Sequence, residues 1–481
     1  MQIYDAKSKC YGCGKCMVEC PVGAIQMQRD EEGFLYPVVD VEKCVHCGRC
    51  KEGCIINLTD TKNLEIKDVY ACTIKDKTIL SNSTSGGIFY LLAENILKEK
   101  GVVYGAAYGE GLHVQHIRLE NLEDIYQLQG SKYVQSDITD VLNDVQKDIE
   151  KGRKVLFSGT PCQIAAVRYL IGENDALICM EIACMGCPSP LVWEKYISNC
   201  EEKWGTIFDV KFRDKCSGWN GSSISYVCKD EKKSFRHYTD IYMEGFGQGL
   251  FYRPSCHKCS FKGKNSFGDL KIGDFWGIQN YDETYKGVNG VSVVIIETKR
   301  GQKIFDSIQD KMDVKLFPYK LALTYNEYFE LSKQPSKNRN YFFRDFFKGE
   351  KAIDKLIYDN LYPKLSEKEL YWCRYPVVEN LLKLTLEDDG ILSFFQKNHY
   401  DNIVIYGLGD LGILLLKILK KTGINVTYLM DRNFRRFPEY LEGVRVVGLH
   451  QITEISYDCI IVTAICSYNN ILELLMVQDV I

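Results

Sequence analysis

The sequence lacks the features that would direct a protein to a membrane or to a nucleic acid. Its longest apolar runs, such as LGILLLKIL, are too short to span a bilayer, and MQIYDAKSKCYGC has no basic region followed by an apolar core. The formal net charge is only -4, and no long block of like charge occurs. We therefore expect a cytoplasmic protein without nucleic acid or membrane as a partner.

Histidine is scarce and cysteine is abundant: the 481 residues include 7 His and 21 Cys. A disulfide scaffold is not expected in so long a chain without a secretion signal, because a reducing cytosol keeps thiols free. The 46% hydrophobic composition supports several domains with buried cores. Metal binding by free thiols is the predicted use of the cysteines.

Two cysteine runs near the start share the spacing C-x2-C-x2-C-x3-C. The first consists of Cys10, Cys13, Cys16 and Cys20, and the second of Cys44, Cys47, Cys50 and Cys54. The pattern resembles the bacterial two-cluster ferredoxin, in which the fourth cysteine of each run ligates the other cluster. The resemblance implies one 4Fe-4S cluster on Cys10, Cys13, Cys16 and Cys54, and another on Cys44, Cys47, Cys50 and Cys20. A zinc module is the alternative, since C-x2-C pairs also bind zinc.

The rest of the chain is predicted to be α/β, with strands and helices that alternate. GRKVLFSGTPCQIAAVRYLIG reads as strand, tight turn and helix, and ALICMEIACMGCPSPLVWEKYI repeats this order with a helix that begins near Pro190. The predicted domains are an α+β ferredoxin module (1–60), a mixed α/β domain (69–330), a helical connector (331–398) and a small Rossmann-like domain (399–481).

Four short segments of the second domain carry a family resemblance: STSGG, GSKYVQS, GTPCQ with ACMGCPSP, and SCHKCSFKGKNSFGDLKIGDFWG. In this order they resemble the beta-subunit family of the coenzyme F-420-reducing hydrogenases and dehydrogenases. The resemblance covers about residues 1–330. It implies an FAD-binding iron–sulfur oxidoreductase domain preceded by a ferredoxin module.

The resemblance assigns the segment STSGG to flavin binding. Small hydroxyls and free amides before a helix favour a phosphate, such as the FAD pyrophosphate. An N-cap with glycines for close packing is the alternative. Lys132 and Tyr133 are further candidates for contact with the flavin or its substrate, and a surface lysine and a buried tyrosine are the alternative. The candidate residues of STSGG are Ser83, Thr84, Ser85, Gly86 and Gly87.

Two cysteines at strand-to-helix turns, Cys162 and Cys184, are expected to project from one edge of a sheet. With Cys256 and Cys259, the resemblance implies a third 4Fe-4S cluster beside the FAD. Two alternatives remain open: a zinc site on the pairs Cys184/Cys187 and Cys256/Cys259, and a reactive Cys162 thiolate near a helix N-terminus.

The end of the sequence contains G-x-G-x-x-G between an apolar strand and a helix. Gly407, Gly409 and Gly412, followed by Asp431 after the next strand, match a dinucleotide-binding fingerprint. The module resembles small Rossmann-like domains of polysaccharide-biosynthesis enzymes. We expect it to bind a nucleotide, a nucleotide-sugar or NAD, or instead to serve docking or formation of a homo-oligomer.

The predicted function combines these sites. Clusters carry single electrons and flavin can exchange one or two, so we expect an FAD-dependent oxidoreductase. It would pass electrons from ferredoxin or a reduced deazaflavin coenzyme to a small two-electron substrate, in polysaccharide biosynthesis. The sequence does not identify catalytic acid or base residues. Two alternatives are a non-catalytic electron-transfer subunit of a larger hydrogenase or dehydrogenase, and a zinc-stabilised nucleotide-sugar binding protein without flavin.

Overall fold

The computed structural model describes residues 3–58, 68–221, 223–229, 231–362, 390–421, 423–431, 434 and 437–463. It divides into two compact units, Met1–Leu361 and Tyr362–Ile481. The predicted α/β fold class is confirmed by mixed sheets with helices. Parts of three predicted segments lie outside the described residues: the end of the ferredoxin module with the residues that follow it (59–67), the helical connector at 363–389, and the C-terminal domain from 464 onward.

The first unit begins with a hairpin and two short helices that carry the cysteine runs. The hairpin pairs β1 (Ile25–Arg29) with β2 (Leu35–Val39) in antiparallel register. Helices α1 (Lys15–Val18) and α2 (Arg49–Glu52) each follow a glycine with positive φ, Gly14 at 73° and Gly48 at 79°. A side chain would be strained in this left-handed conformation, so glycine permits the tight turn at both positions.

An eight-stranded mixed sheet forms the centre of the first unit, in the order β13-β3-β12-β11-β7-β6-β4-β5. The strands β4, β6, β7 and β11 run parallel to their neighbours within this group. The strands of this sheet are β3 (Asp68–Ile74), β4 (Val102–Tyr108), β5 (Val114–Leu119), β6 (Val155–Gly159), β7 (Leu177–Ile182), β11 (Leu270–Asp274), β12 (Ser292–Ile296) and β13 (Met312–Phe317).

Helices and a second, three-stranded sheet cover the central sheet. That sheet has the order β10-β9-β8, and apolar side chains of α7, α8, α11 and α12 share one buried core with it. Its strands are β8 (Ile207–Asp214), β9 (Ser223–Cys228) and β10 (Lys232–Arg236). The helices are α3 (Lys77–Asn82), α4 (Ile88–Lys98), α5 (Leu142–Glu150), α6 (Pro161–Ile171), α7 (Pro190–Trp204), α8 (Ile241–Gly247), α9 (Lys299–Asp306), α10 (Tyr319–Leu323), α11 (Arg339–Lys348) and α12 (Ile353–Leu361).

Two of these helices begin where the sequence predicts. Thr160 caps α6 in a capping box with Gln163, and Pro161 occupies the first turn, where its missing N–H leaves no bond unmade. Ser189 caps α7 by accepting the Val192 amide at 3.1 Å. Strands β6 and β7 are neighbouring parallel strands, so the turns after them lie at one edge of the sheet.

The second unit contains a five-stranded sheet in the order β16-β17-β15-β14-β18. Strand β14 is parallel to both β15 and β18, and β15 is parallel to β17. Its described elements are α13 (Gly390–Lys397), β14 (Ile403–Tyr406), α14 (Asp410–Lys421), β15 (Val426–Met430), β16 (Tyr440–Leu441), β17 (Val444–Val447) and β18 (Cys459–Val462).

Candidate iron–sulfur sites and adjoining pocket

The first two predicted cysteine sets line two separate small cavities. One cavity is lined by Cys10, Cys13, Cys16 and Cys54, and the other by Cys20, Cys44, Cys47 and Cys50. Each set therefore contains three cysteines of one run and the last cysteine of the other, the grouping that the ferredoxin resemblance implies. Because two tight loops exchange their fourth cysteines, neither set can form without the other loop.

The surroundings of these thiols suit a bound cationic centre. Burial raises the pKa of Cys13 to about 12 and also raises that of Cys16, so a thiolate needs compensating positive charge, which iron supplies. The Ala24 amide donates to the Cys20 sulfur at 3.2 Å, a contact typical of cluster ligands. The two cavities differ in exposure: Cys47 is exposed, whereas the first set is partly buried.

The third set brings together cysteines from distant parts of the chain. Cys162 lies in the first turn of α6, Cys184 follows β7, and Cys256 and Cys259 lie in the loop before β11. Burial, together with the nearby Cys259, Cys256 and Cys184 thiols, raises the pKa of Cys162 well above its usual value. This raised pKa opposes the alternative of a reactive Cys162 thiolate and fits a ligand that needs a cation.

A fifth thiol, Cys187, lies beside the third cysteine set. Its amide donates to the Cys256 sulfur at 3.3 Å, and hydrogen bonding from Cys187 lowers the pKa of Cys256. Hydrogen bonds to Cys184 and Cys256 raise the pKa of Cys187 itself. Among the described residues, no three His, Cys, Asp or Glu side chains are arranged to hold a single metal ion.

A cavity of about 330 Å³ adjoins the third cysteine set. It lies at the carboxyl ends of β6, β7 and β11, the place where open α/β sheets bind ligands. Its volume is at the lower end of the range for small-molecule sites. The lining includes Cys184, Cys187, Lys132, Tyr133 and the segment Ser83–Ser85 with Gly87. The structure thus brings the residues predicted for flavin binding next to those predicted for the third cluster.

The hydroxyls of STSGG are already engaged within the protein. Ser83 donates to the Ile79 carbonyl at 2.8 Å, Ser85 donates to the Val291 carbonyl at 2.7 Å, and Thr84 accepts the Ser131 amide at 3.0 Å. A Cβ on Gly86 would lie 2.1 Å from the Cys72 carbonyl oxygen, so this glycine is required for close packing. These contacts favour the close-packing part of the alternative, whereas none of these hydroxyls caps α4, whose N-cap is Gly87. The backbone at the start of α4 lines the cavity.

Lys132 and Tyr133 also make contacts within the protein. The Lys132 ammonium donates to the carbonyls of Gln129 and Gly130 at 3.0 and 3.3 Å, and burial lowers its pKa to about 8. The Tyr133 ring stacks on Phe246 with centroids 4.6 Å apart. Tyr133 is therefore a half-buried tyrosine packed against the core, close to the alternative, and Lys132 is a half-buried amine at the cavity.

Arg213 lines this cavity, and Trp219 supports its lining residues Asp274 and Trp276; neither was predicted from the sequence. Arg213 pairs with Asp274 at 2.7 Å and lies over the Trp276 ring, 4.7 Å from its centroid. Trp219 stacks on Trp276 at 5.1 Å, and its indole N–H donates to Asp274 at 2.8 Å. The only sequence signal was GDFWG, because its partners Arg213 and Trp219 lie 61 and 55 positions earlier in the chain.

Tyr11 links the first and third cysteine sets. This residue follows Cys10, and its hydroxyl accepts the Ser260 amide at 2.9 Å, directly after Cys259. The ring is buried and packs edge-on against Phe261, with centroids 4.8 Å apart. One aromatic side chain and one hydrogen bond therefore join the two loops that carry the cysteines.

The glycine-rich loop of the second unit has its own internal contacts. Asp431 accepts the Leu408 amide at 2.9 Å, so the predicted ribose-binding carboxylate contacts the loop backbone. A Cβ on Gly412 would lie 2.0 Å from the Gly407 carbonyl oxygen, which explains the need for glycine there. Gly409 is exposed and has open space around it. The nucleotide site remains a prediction.

The described helices include none that is long and apolar enough to cross a membrane. The longest described one, α7, has a mixed composition with Lys and Glu side chains, PLVWEKYISNCEEKW.

Three known families match separate parts of the chain. Residues 9–57 match the family described as a 4Fe-4S dicluster domain. Residues 152–320 match the family described as coenzyme F420 hydrogenase/dehydrogenase, carboxyl terminus of the beta subunit. Residues 399–480 match a family described as C2185-like, N-terminal.

Three similar curated proteins come from Methanosarcina mazei and Methanocaldococcus jannaschii. One subunit of the F(420)H(2) dehydrogenase of Methanosarcina mazei is 25% identical over 335 residues, which cover 63% of this chain and 84% of that protein. An uncharacterized protein of Methanocaldococcus jannaschii is 24% identical over 278 residues, 49% of this chain and 76% of that protein. An uncharacterized ferredoxin of the same organism is 39% identical over 57 residues, 12% of this chain and 73% of that protein.

A chain in a xenon-derivatised F420-reducing [NiFe] hydrogenase complex from Methanosarcina barkeri is also similar, at 18% identity and a TM-score of 0.38. The match covers 62% of this chain and 91% of that chain, but a score this low supports no statement about fold. The two family matches agree with the positions of the cysteine sites. Residues 9–57 are thus similar to the 4Fe-4S dicluster domain family, and residues 152–320 are similar to the carboxyl-terminal domains of coenzyme F420 hydrogenase/dehydrogenase beta subunits.

Proposed function

We propose that this chain is an iron–sulfur electron-transfer subunit of a larger oxidoreductase complex. Its three cysteine sets would each hold a 4Fe-4S cluster, which supplies one-electron transfer when bound. One donor molecule loses an electron at one end of the series, and one acceptor gains it at the other. The single observation that carries the proposal is the arrangement of the three sets within one compact unit, beside one ligand-sized cavity.

The positions of the sets suggest an order. The second set contains the exposed Cys47 and is the place where an outside redox partner can approach. The first set is joined to the third through Tyr11 and the Ser260 amide. The third set contacts the cavity through Cys184. We infer an electron path that runs from the surface at Cys47 to the cavity, in either direction.

The comparisons favour a subunit over a complete flavoprotein enzyme. The Methanosarcina mazei relative is by name a subunit of a dehydrogenase, and a chain of this kind is expected to have protein partners. Coenzyme F-420 or ferredoxin is the redox partner that the family resemblance implies.

Flavin binding in the cavity is a second proposal, and the geometry at Lys132 is its main support. A half-buried ammonium of lowered pKa at the cavity wall offers a donor to a polar ring atom. The backbone at the start of α4 offers amides to a phosphate. A bound flavin would supply the exchange between one- and two-electron chemistry. The engaged hydroxyls of Ser83 and Ser85 leave the backbone as the phosphate contact.

Metal and flavin analysis of the anaerobically purified chain tests both proposals. Three clusters predict about twelve irons per chain without zinc, and a flavin would be released by acid. Cys259→Ala should remove about four irons, whereas Cys72→Ala, a buried thiol outside the three sets, should remove none. About eight irons in the unaltered chain, or iron unaffected by Cys259→Ala, would contradict the third cluster. A partner that copurifies in stoichiometric amount, with no turnover by the isolated chain, supports the subunit assignment.

A further inference from the structure

Arg253 is a buried cation without a carboxylate partner among the described residues. Its side chain is among the largest that are fully buried, with 1% exposure. The guanidinium donates to the Cys10 carbonyl at 2.8 Å, to the Leu35 carbonyl at 2.8 Å and to the Gln135 side-chain oxygen at 3.2 Å. It also stacks on the Tyr36 ring, 4.3 Å from the centroid. All of these partners are neutral, and within the described ranges no acidic side chain pairs with Arg253.

A lone buried guanidinium is costly, because the interior does not replace its hydration. The nearest group able to carry negative charge is the Cys10 sulfur, 3.7 Å from Nη2. A 4Fe-4S cluster with four thiolate ligands is anionic, so a cluster in the first set would give Arg253 its missing counter-charge. Gly12 supports this placement, since a Cβ there would lie 2.6 Å from Nη1 of Arg253.

The backbone of Arg253 contacts the third cysteine set. Its amide donates to the Cys187 carbonyl at 2.9 Å, and its carbonyl accepts the Cys256 amide at 2.9 Å. The backbone of Arg253 is therefore fixed in the loop that carries Cys256, while its guanidinium contacts the first set. The second set makes no contact with Arg253 among the described residues.

We propose that Arg253 is a positioning residue whose buried charge raises the reduction potential of the cluster in the first set. A positive charge nearby stabilises the reduced cluster, which carries one more negative charge than the oxidised cluster. The first cluster then accepts electrons more readily than it would without this cation. The inference rests on the proposed function, because it requires a cluster in the first set.

Redox titration of the holoprotein, followed by electron paramagnetic resonance, tests the role of the charge. Arg253→Gln removes the charge, and at a fixed potential the reduced-to-oxidised ratio of one cluster should fall at least tenfold. A tenfold fall corresponds to a decrease of about 59 mV in the reduction potential of a one-electron centre. Arg253→Lys keeps a cation and should retain most of the ratio. Arg118→Gln is the matched control, since it removes a cation that pairs with Asp148 and touches none of the cysteine sets.

Gln135→Glu provides a second route that leaves Arg253 in place. The new carboxylate would lie beside Nη1 and neutralise the guanidinium, so the ratio should fall as in Arg253→Gln. This variant tests the role of the Arg253 charge if Arg253→Gln does not fold. Unchanged ratios in both charge variants, or an equal fall in Arg253→Lys, would overturn the inference. A chain without iron would instead overturn the proposed function, so the two failures are distinguishable.

Discussion

Asp269→Asn should destabilise the central sheet at the amino end of β11, the end opposite the third cysteine set. Asp269 is fully buried and immediately precedes β11. One carboxylate oxygen accepts Arg168 at 2.7 Å and the Cys179 amide at 2.8 Å, and the other accepts the Thr298 hydroxyl at 2.8 Å and Arg300 at 3.0 Å. The amide of asparagine carries no charge and would turn two N–H donors toward some of these donors.

The magnitude follows from the loss of charge beside Arg168, which is itself buried. Removal of one partner of a buried ion pair costs about 3–5 kcal/mol, because the other charge stays uncompensated. The Arg300 side chain is partly exposed, so its contact should add little. We therefore expect the free energy of unfolding to fall by about 3–5 kcal/mol.

Equilibrium urea denaturation, followed by tryptophan fluorescence, measures this change. Asp313→Asn is the matched control, because Asp313 is an exposed residue of β13 in the same sheet and should change stability by less than about 0.5 kcal/mol. A fall in Asp269→Asn no larger than in the control would refute the argument that the buried pair anchors β7 and β11.

Three further outcomes are expected. Cys187→Ser should keep the iron of the third set, whereas Cys162→Ser should lose about four irons by metal analysis; the reverse result would assign Cys187 as the ligand. Burial raises the pKa of Glu181 from 4.5 to about 7. The raised pKa therefore contributes to the free energy of unfolding fully below about pH 4.5, and this contribution is lost as pH rises through about 7. Denaturation curves at pH 5 and pH 8 should show the loss in the unaltered chain and not in Glu181→Gln. Gly412→Ala should lower the melting temperature of the second unit, because the new Cβ would collide with the Gly407 carbonyl oxygen. Gly409→Ala is the control, since a Cβ there has open space around it. Equal melting temperatures of the two variants would contradict the packing role of Gly412.

The sequence predicts best where chemistry depends on short spacing. The two cysteine runs have the spacing of two-cluster ferredoxins, and this resemblance implies their exchanged grouping. The starts of α6 and α7 follow from Thr160 with Pro161 and from Ser189 with Pro190, since caps act within one turn. The expectation that Cys162 and Cys184 lie at one sheet edge agrees with the pairing of β6 and β7.

Contacts between distant parts of the chain determine side-chain roles that short sequence spacing does not predict. Ser85 looks like a phosphate contact in sequence, yet its hydroxyl is used by Val291, which is 206 positions away. The charge of Arg253 near Cys10 depends on a contact across 243 positions, and no local pattern indicates it. The role of Arg213 likewise depends on tertiary contact with Asp274 and Trp276.

The pairing of β3 has a consequence for maturation during synthesis. This strand, at residues 68–74, lies between β12 and β13, so the central sheet cannot close until about residue 317 has left the ribosome. The two cysteine runs before residue 55 emerge much earlier and supply each other's fourth cysteine, whereas the third set needs the late loop with Cys256 and Cys259. Contacts of such high sequence separation form slowly. Iron loading is thereby divided in time: the amino-terminal module can mature on the nascent chain, and the third site only after the sheet has formed.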